Sequence, residues 1–216
     1  MTIPMQHPED ICAHFGEDYS RFFGAVSPPI FQTSLFLDGG EYEYSRVTNP
    51  TVEIFENKVA GLEHAGPDGR ALLYASGSAA ITSVLLSTLR AGSHIVMVRT
   101  SYGSARNFSA FLERYGVRVT FVRGTRVEEF EEALRPETAL IYLESPSSCV
   151  FDLQDIAAVS ELAHAHGIPV AIDNTYSTPI FQQPLELGAD LVIHSATKYF
   201  GGHSDVLAGV VVAVVV

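Results

Sequence analysis

The stretch Val192-Ile-His-Ser-Ala-Thr-Lys-Tyr-Phe-Gly-Gly-His-Ser-Asp205 joins the end of an apolar run to a polar loop that contains two glycines. The run Ala189–Ile193 predicts a buried strand, and Ser195, Thr197 and Lys198 follow it directly. In open α/β sheets, ligands bind at the carboxyl ends of such strands. A lysine there can form a Schiff base with an aldehyde cofactor, while neighbouring hydroxyls bind the phosphate of that cofactor.

The rarity of lysine strengthens this interpretation. The chain contains two lysines, Lys58 and Lys198, against eleven arginines. An arginine side chain stays protonated and cannot replace lysine in imine chemistry. Lysine at position 198 therefore favours a chemical role over a solvated loop position.

The composition predicts a globular domain and excludes several partners. Hydrophobic residues make up 47% of the 216 positions and charged residues 18%, which is typical of a chain with a substantial core. The formal net charge of −12 argues against nucleic acid or an anionic membrane as a partner. A local cluster of donors can still bind a small anionic ligand.

Cysteine content and the chain start predict a cytoplasmic location. Cys12 and Cys149 are too few for a disulfide framework and fit a reducing compartment. The first ten residues lack the basic start and apolar core of a signal peptide. The longest apolar run, Val206–Val216, is too short to span a bilayer, and we interpret it as a buried parallel strand.

From residue 71 onward, short apolar strands alternate with helices. This pattern predicts an α/β domain with a mainly parallel sheet covered by helices on both faces. Predicted helices begin near Thr51, at Ser76 and after Tyr102, and two more span Val127–Leu134 and Asp152–His166, the last capped by Asp152. The predicted strands are Ala71–Ala75, His94–Val98, Val117–Val122, Ala139–Leu143, Ile168–Ile172, Ala189–Ile193 and Val206–Val216.

Polar residues recur where these strands end. Because the carboxyl ends of parallel strands meet at one edge of a sheet, we expect these side chains to line a single crevice. At the first of them, Ser76-Gly-Ser78, small residues open a helix, so free backbone N–H groups favour a phosphate. The polar residues at strand ends are Ser76, Tyr102, Glu144, Asp173, Asn174, Ser195 and Lys198.

Residues 1–50 contain many breakers and little periodicity, which predicts a segment that wraps over another domain or subunit. Within it, Tyr44 and Arg46 are predicted to alternate on an extended stretch and so to point the same way. The arginine fork suits a phosphate, although a surface Tyr/Arg pair is the simpler interpretation of these two residues alone. Either Asn49 or Thr51 is expected to cap the helix that follows.

Pyridoxal 5′-phosphate would give each polar residue of the crevice a role. Lys198 would form the Schiff base and then act as the base beside the substrate α-carbon. A carboxylate at Asp173, after an apolar strand, needs a partner, and a protonated pyridine nitrogen is such a partner. Tyr102 would stack on the ring. Capping of the next turn by Asp173 and an ordinary core position for Tyr102 are the structural alternatives.

Six motifs together resemble the Cys/Met-metabolism family of pyridoxal-phosphate enzymes. The resemblance runs from about residue 27 to the end of the chain, and the family includes cystathionine β-lyases, cystathionine γ-synthases and γ-lyases, methionine γ-lyases and homoserine-ester sulfhydrylases. The motifs are Ser195-Ala-Thr-Lys-Tyr-Phe-Gly-Gly-His-Ser-Asp205, Asp173-Asn-Thr-Tyr-Ser-Thr-Pro179, Glu144-Ser-Pro146, Tyr102-Gly103, Ser76-Gly77 and Tyr44-Ser-Arg-Val-Thr-Asn-Pro-Thr51.

This resemblance implies a large domain like that of the aspartate aminotransferases (fold type I), in a homotetramer built from tight dimers. It implies that Lys198 carries the cofactor, Asp173 pairs with the ring nitrogen and Tyr102 stacks on the ring. Residues 1–50 would form an interface arm, in which Tyr44 and Arg46 reach the phosphate of the neighbouring subunit, and residues 51–216 the cofactor-binding domain. The implied phosphate ligands within the chain are Ser76, Gly77, Ser78, Ser195 and Thr197.

The motifs leave the reaction type open. The run Glu144-Ser-Pro-Ser-Ser148 looks closer to cystathionine β-lyases, whereas Tyr44-Ser-Arg46 and Asn49-Pro-Thr51 look γ-type. Methionine γ-lyases typically have cysteine where this chain has Ser104. The leading hypothesis is a carbon–sulfur lyase for a sulfur amino acid such as cystathionine. The alternatives are a γ-replacement enzyme that uses an activated homoserine ester, and a catalytically silent cofactor-binding subunit.

The silent alternative follows from length. Family members run to nearly twice 216 residues, so the resemblance implies that the small C-terminal domain is absent from this chain, together with the arginine that grips the substrate carboxylate. No arginine here matches that motif.

Other chemistries have weak support in the sequence. The first predicted strand is not followed by G-x-G-x-x-G, and the chain has no G-x-x-x-x-G-K-[ST] motif for a nucleotide. Metal catalysis is not expected either, because His164 and His166 are two positions apart on a predicted helix and face apart.

Overall fold

A seven-stranded sheet with helices on both faces forms the centre of the computed structural model, which describes residues 7–214. The strands are β1 Gly69–Tyr74, β2 His94–Val98, β3 Arg118–Val122, β4 Thr138–Glu144, β5 Val170–Asp173, β6 Leu191–His194 and β7 Gly209–Val214. The α-helices are α1 Pro8–His14, α2 Pro50–Leu62, α3 Gly77–Thr88, α4 Gly103–Leu112, α5 Val127–Ala133, α6 Ile156–Ala165 and α7 Thr178–Phe181.

The strand order is β1-β7-β6-β5-β4-β2-β3. The pairs β2–β3, β2–β4, β4–β5 and β5–β6 are parallel, which confirms the predicted α/β class with a mainly parallel sheet. Strand β7 is antiparallel to both β1 and β6, so β7 alone runs against the other six strands.

The prediction that Val206–Val216 is a parallel strand was therefore wrong in direction. A parallel neighbour needs a crossover, usually a helix, whereas the segment 195–208 between β6 and β7 contains turns and no helix. The strand begins at Gly209 rather than at residue 206, and residues 215–216 of the prediction lie outside the described residues.

Alternating side chains of the central strands supply two separate cores. On β4, Leu140 and Tyr142 face α3 and α4, whereas Ile141 and Leu143 face the side covered by α2, α5 and α6. All four side chains are fully buried. Parallel strands that are covered on both faces are continuous apolar runs, which is why the sequence pattern predicted their positions.

The sixth helix begins later than predicted. Asp155, not Asp152, caps α6, and its carboxylate accepts a hydrogen bond from the Ala158 N–H at 3.1 Å. The Asp152 carboxylate lies 3.4 Å from the Arg123 guanidinium, and the Asp152 carbonyl accepts the Ser147 N–H at 2.9 Å. Asp152 thus shapes the loop after β4, because its partners lie outside the helix.

The N-terminal segment contains more regular structure than its sequence suggests. Pro8 and two acidic residues open the short helix α1, which packs on α2. Asn49 rather than Thr51 caps α2, through a 2.9 Å bond from the Thr51 N–H. The Thr51 hydroxyl instead accepts the Phe31 N–H, which ties the segment to the domain.

Within residues 7–214, no helix has both the length and the apolar character needed to cross a bilayer.

Candidate active site

A cleft of about 1040 Å³ lies at the carboxyl ends of the parallel strands, at the upper limit of the usual size of small-molecule sites. It brings together eight of the ten residues predicted to form the site. The predicted residues that line it are Ser76, Gly77, Ser78, Tyr102, Asp173, Ser195, Thr197 and Lys198.

The loop after β6 presents Lys198 to this cleft. The Lys198 N–H donates to the Ser195 carbonyl at 3.0 Å, and the Gly202 N–H donates to the Lys198 carbonyl at 2.8 Å, so the backbone coils tightly around the lysine. The Lys198 side chain is exposed to the cleft. By contrast, the ammonium group of Lys58 donates to the Glu17 carboxylate at 2.6 Å, away from the cleft.

The start of α3, Ser76–Ser78, forms a cradle beside the lysine loop, which is the segment 195–208 that contains Lys198. The Ser76 hydroxyl accepts the Ala79 N–H at 3.1 Å and caps the helix. A Cβ atom at Gly77 would lie 2.6 Å from both the Cβ and the Oγ of Ser195, so only glycine allows this approach. A Cβ atom at Gly209 would lie 2.2 Å from the Ser76 carbonyl oxygen. The helix N-terminus thus lies directly against the residues around Lys198.

The hydroxyl of Thr197 is hydrogen-bonded within the chain. It donates to the Ala208 carbonyl and accepts the Ala208 N–H, both at 3.0 Å. The Ser195 N–H donates to the Thr175 hydroxyl at 2.8 Å. Both threonines therefore hold the lysine loop in place, one against the entry to β7 and the other against the loop after β5.

Asp173 ends β5 and is almost fully buried, with 6% of its surface exposed. Its Oδ1 accepts the Thr175 N–H at 3.0 Å. Burial raises the pKa of the Asp173 carboxyl, and hydrogen bonds from the side chain and backbone of Thr175 oppose that rise. A carboxylate that lines a cleft at this burial favours a cationic partner.

Glu144 lies beside Asp173, because the two residues are register partners at the ends of β4 and β5. The Glu144 carboxylate accepts the Tyr102 N–H at 2.6 Å and the Ser148 hydroxyl. Burial, followed by the charge of Asp173, raises the pKa of Glu144 to about 7. The sequence marked Glu144 as a polar strand end but gave it no role, since its contacts come from distant parts of the chain.

Tyr102 follows β2 and precedes the first residue of α4. Its side chain is 53% exposed and lines the cleft, so the alternative of a core aromatic is wrong. The position suits a ring that covers one face of a flat ligand.

A buried polar group that the sequence analysis missed lies behind Asp173, on the opposite side of the sheet. The Nε2 of His194 lies 2.5 Å from the Oε1 of Glu63, and both side chains are fully buried. The Asn174 amide donates to the same Glu63 oxygen at 3.3 Å. Asn174 thus faces this group rather than the cleft. The run Val192–Ser195 gave no signal for it beyond a histidine in an apolar strand.

Tyr44 and Arg46 lie outside the set of described residues that line the cleft. The predicted extended stretch is a turn, closed by a 2.8 Å bond from the Val47 N–H to the Tyr44 carbonyl. The Arg46 guanidinium lies 5.0 Å from the centroid of the Tyr44 ring, so the two side chains still form a unit.

These residues fit a phosphorylated aromatic aldehyde with a basic ring nitrogen. The start of α3, where glycine allows close approach, suits the phosphate of such a ligand. The exposed Lys198 suits its aldehyde, and the buried Asp173 suits its ring nitrogen. The residues of this cleft therefore provide the groups that are needed to bind pyridoxal 5′-phosphate.

Comparisons with known proteins agree. L-methionine gamma-lyase of Treponema denticola is 46% identical over 207 residues, which are 88% of this chain and 51% of that protein. Cystathionine beta-lyase MetC of Staphylococcus haemolyticus is 43% identical, over 91% of this chain and 50% of the relative. Cystathionine gamma-lyase of Bacillus subtilis is 45% identical, over 88% of this chain and 50% of the relative.

A solved structure, metB from Corynebacterium glutamicum, superposes with a TM-score of 0.92 at 36% identity and covers 97% of this chain and 55% of its own. The chain spans about half the length of the curated relatives it matches. The model of the family described as Cys/Met metabolism PLP-dependent enzyme matches residues 9–215. The resemblance found in the sequence is thereby confirmed, and the chain belongs to the Cys/Met metabolism family of PLP-dependent enzymes.

Proposed function

We propose that this chain is the cofactor-binding part of a PLP-dependent carbon–sulfur lyase that acts on a sulfur amino acid such as cystathionine. The observation that carries the proposal is the pairing, in one cleft, of an exposed Lys198 with the buried carboxyl of Asp173. The relatives named methionine gamma-lyase, cystathionine beta-lyase and cystathionine gamma-lyase support the reaction class.

The residues of the cleft divide the binding of the cofactor among them. Lys198 would bind the aldehyde carbon covalently through Nζ. Asp173 would pair with the ring nitrogen, and Tyr102 would stack on one face of the ring. The cradle and lysine loop would bind the phosphate through Ser76, Gly77, Ser78, Ser195 and Thr197. The hydroxyl proton of Thr197 already bonds to Ala208, so Thr197 would have to rotate to donate to the phosphate.

When bound, the cofactor supplies an electron sink for carbanions next to the substrate nitrogen. Lys198, once free of the cofactor, is the group placed to accept the α-carbon proton at its Nζ. An ionised Asp173 would favour a positive charge on the ring nitrogen, since a buried carboxylate is stabilised by an adjacent cation. The phenol of Tyr102, at the mouth of the cleft, is available to deprotonate the incoming amine or to assist the leaving group.

We further propose that the active site is completed by a second subunit in a cytoplasmic homotetramer. Residues 1–50 would form the arm that crosses to the neighbour, where Tyr44 and Arg46 bind the phosphate, and residues 51–216 the cofactor-binding domain. Large apolar side chains of the arm support this, since Phe23 and Leu37 are almost fully exposed in the isolated chain. The unpaired cysteines, both exposed, fit a reducing compartment.

Reductive trapping tests the cofactor assignment. The chain reconstituted with pyridoxal 5′-phosphate is treated with borohydride, and the labelled peptide is identified by mass spectrometry. We expect the label on Lys198 and a visible absorption band that Lys198→Ala abolishes. Lys58→Gln, which changes the only other lysine, is the control and should leave both signals intact. A colourless chain, or a label shared equally between the two lysines, would contradict the assignment.

The products formed from cystathionine test the reaction type. β-Elimination releases pyruvate, ammonia and homocysteine, whereas γ-elimination releases 2-oxobutyrate, ammonia and cysteine. Methionine is the second substrate to test, because a relative with that activity in its name is 46% identical. If no keto acid forms from either substrate, the lyase proposal fails for this chain. Product formation only from an activated homoserine ester and a thiol would identify a γ-replacement enzyme.

A further inference from the structure

Glu144 makes contacts that the proposed cofactor chemistry does not use. Its Oε2 accepts the Tyr102 N–H at 2.6 Å, and its Oε1 accepts the Ser148 hydroxyl. The side chain lines the cleft but is only 6% exposed. A carboxylate this deeply buried is kept in place when both oxygens have donors, as they have here.

The bond to Tyr102 fixes the start of α4. Tyr102 precedes the first residue of that helix and provides no side-chain cap of its own. Glu144 reaches across from β4 and satisfies an N–H group there, and its negative charge faces the positive end of the helix dipole. The backbone at residue 102 determines where the tyrosine ring lies over the cleft.

We propose that Glu144 is a positioning residue, which fixes the ring of Tyr102 against the face of the bound cofactor. The proposal rests on the proposed function, because it assigns a partner to the ring-stacking residue. Glu144 does not touch the cofactor in this assignment. It acts through the backbone of Tyr102, which lies 42 positions earlier in the sequence.

Ser148 is the second half of this arrangement. Its hydroxyl proton is donated to Glu144, so Ser148 orients the carboxylate. Ser148 ends the run Glu144-Ser-Pro-Ser-Ser148, four positions beyond the carboxylate that it contacts. The donated proton indicates that here Ser148 supports Glu144 from within the protein.

The surroundings of Glu144 give the contact a pH dependence. Asp173 on β5 and the phenol of Tyr142 on β4 face it from the sheet, and Lys198 lies in the same cleft. Burial and the charge of Asp173 raise the pKa of Glu144 to about 7. The charge-assisted bond to the Tyr102 N–H is therefore complete above neutral pH and weakens as the carboxylate is protonated below it.

A double-mutant cycle on cofactor affinity tests the proposal. Because the chain has no tryptophan, cofactor binding can be followed by tyrosine fluorescence and cofactor absorbance. Glu144→Ala should raise the cofactor dissociation constant on the order of tenfold, the usual effect of losing a hydrogen bond to a charged group. In a Tyr102→Ala background the same change should have almost no effect. Glu144→Gln, which keeps an acceptor, should restore most of the affinity.

Amide exchange provides a readout without cofactor. The Tyr102 N–H should be protected in the parent chain and lose protection in Glu144→Ala. The protection factor should rise with pH through about 7 in the parent chain and stay flat in Glu144→Gln. If Glu144→Ala does not fold, Ser148→Ala removes one contact of the carboxylate and enters the same cycle.

Two results would overturn the proposal. One is a full loss of affinity from Glu144→Ala in the Tyr102→Ala background, which would show that Glu144 does not act through the tyrosine. The other is unchanged protection of the Tyr102 amide in Glu144→Ala. A parent chain that binds no cofactor would instead defeat the proposed function, and amide exchange alone would then decide whether Glu144 positions Tyr102.

Discussion

Gly77 and Ser195 approach so closely that no side chain fits between them. A Cβ atom at position 77 would lie 2.6 Å from the Cβ and the Oγ of Ser195 and 3.0 Å from its Cα. This contact joins the N-terminus of α3 to the loop that carries Lys198. The two halves of the proposed phosphate site can thus lie in contact only because residue 77 has no Cβ atom.

Gly77→Ala should push the lysine loop away from α3. We expect a loss of about 1–3 kcal/mol in the free energy of unfolding, the usual cost of an overpacked contact. Cofactor affinity should fall by about tenfold or more, since phosphate donors separate. Thermal unfolding and cofactor titration measure the two effects. Gly103→Ala, at another helix start where a Cβ meets nothing within 4 Å, is the matched control and should lower neither the stability nor the affinity.

Asp173→Asn should stabilise the chain without cofactor and weaken cofactor binding. Because burial raises the pKa of Asp173, ionising this carboxyl in the folded chain costs free energy, and that cost appears as pH rises from the unfolded pKa through the raised folded pKa. We expect a higher free energy of unfolding above the folded pKa, together with a smaller thermal shift on adding cofactor. Asp155→Asn, at an exposed helix cap where asparagine also serves, should change neither quantity. Equal cofactor shifts in Asp173→Asn and the parent chain would contradict the prediction.

His94 should make the chain less stable in mild acid. Its ring is fully buried, and its two nitrogens lie 2.8 Å from the hydroxyls of Thr138 and Thr120. Burial lowers the pKa of His94 from 6.5 to about 4, so the unfolded chain binds the proton more readily between these values. Stability should therefore fall as pH drops from about 6.5, by about 2 kcal/mol at pH near 5.

The variant His94→Gln, which keeps a donor and an acceptor but cannot titrate, tests this assignment. Its unfolding free energy should depend less on pH than that of the parent chain over the same range. His166→Gln, at an exposed position, is the matched control. If both variants show the parent pH dependence, His94 is not its source.

The buried pair Glu63 and His194 should be strongly coupled. Removing one partner, as in His194→Leu, leaves a carboxylate without exposure to solvent and should cost about 3–5 kcal/mol. The double replacement by leucine should cost less than the sum of the two single ones. Denaturant unfolding measures all three. At the exposed pair of His64 and Glu186, Glu186→Gln should cost less than about 1 kcal/mol, which makes it the control.

The sequence predicted the elements that depend on local patterns. Apolar runs located the seven strands to within a few residues, because strands covered on both faces are continuously hydrophobic. The start of α2 near Thr51 followed from capping chemistry, which involves neighbouring residues only. The predicted cap at Asp152 was wrong, because the choice between Asp152 and Asp155 depends on what else each carboxylate contacts.

The identity of the candidate site also came from the sequence. Polar residues at strand ends, including Asp173 and Lys198, converge because parallel strands end at one edge, and that rule needs no coordinates. The tertiary structure alone decided the direction of β7, which depends on the turns between residues 195 and 208. It alone paired Glu144 with Tyr102 and Glu63 with His194. Such contacts join positions 42 and 131 residues apart, and strand register and helix packing, rather than local sequence, bring them together.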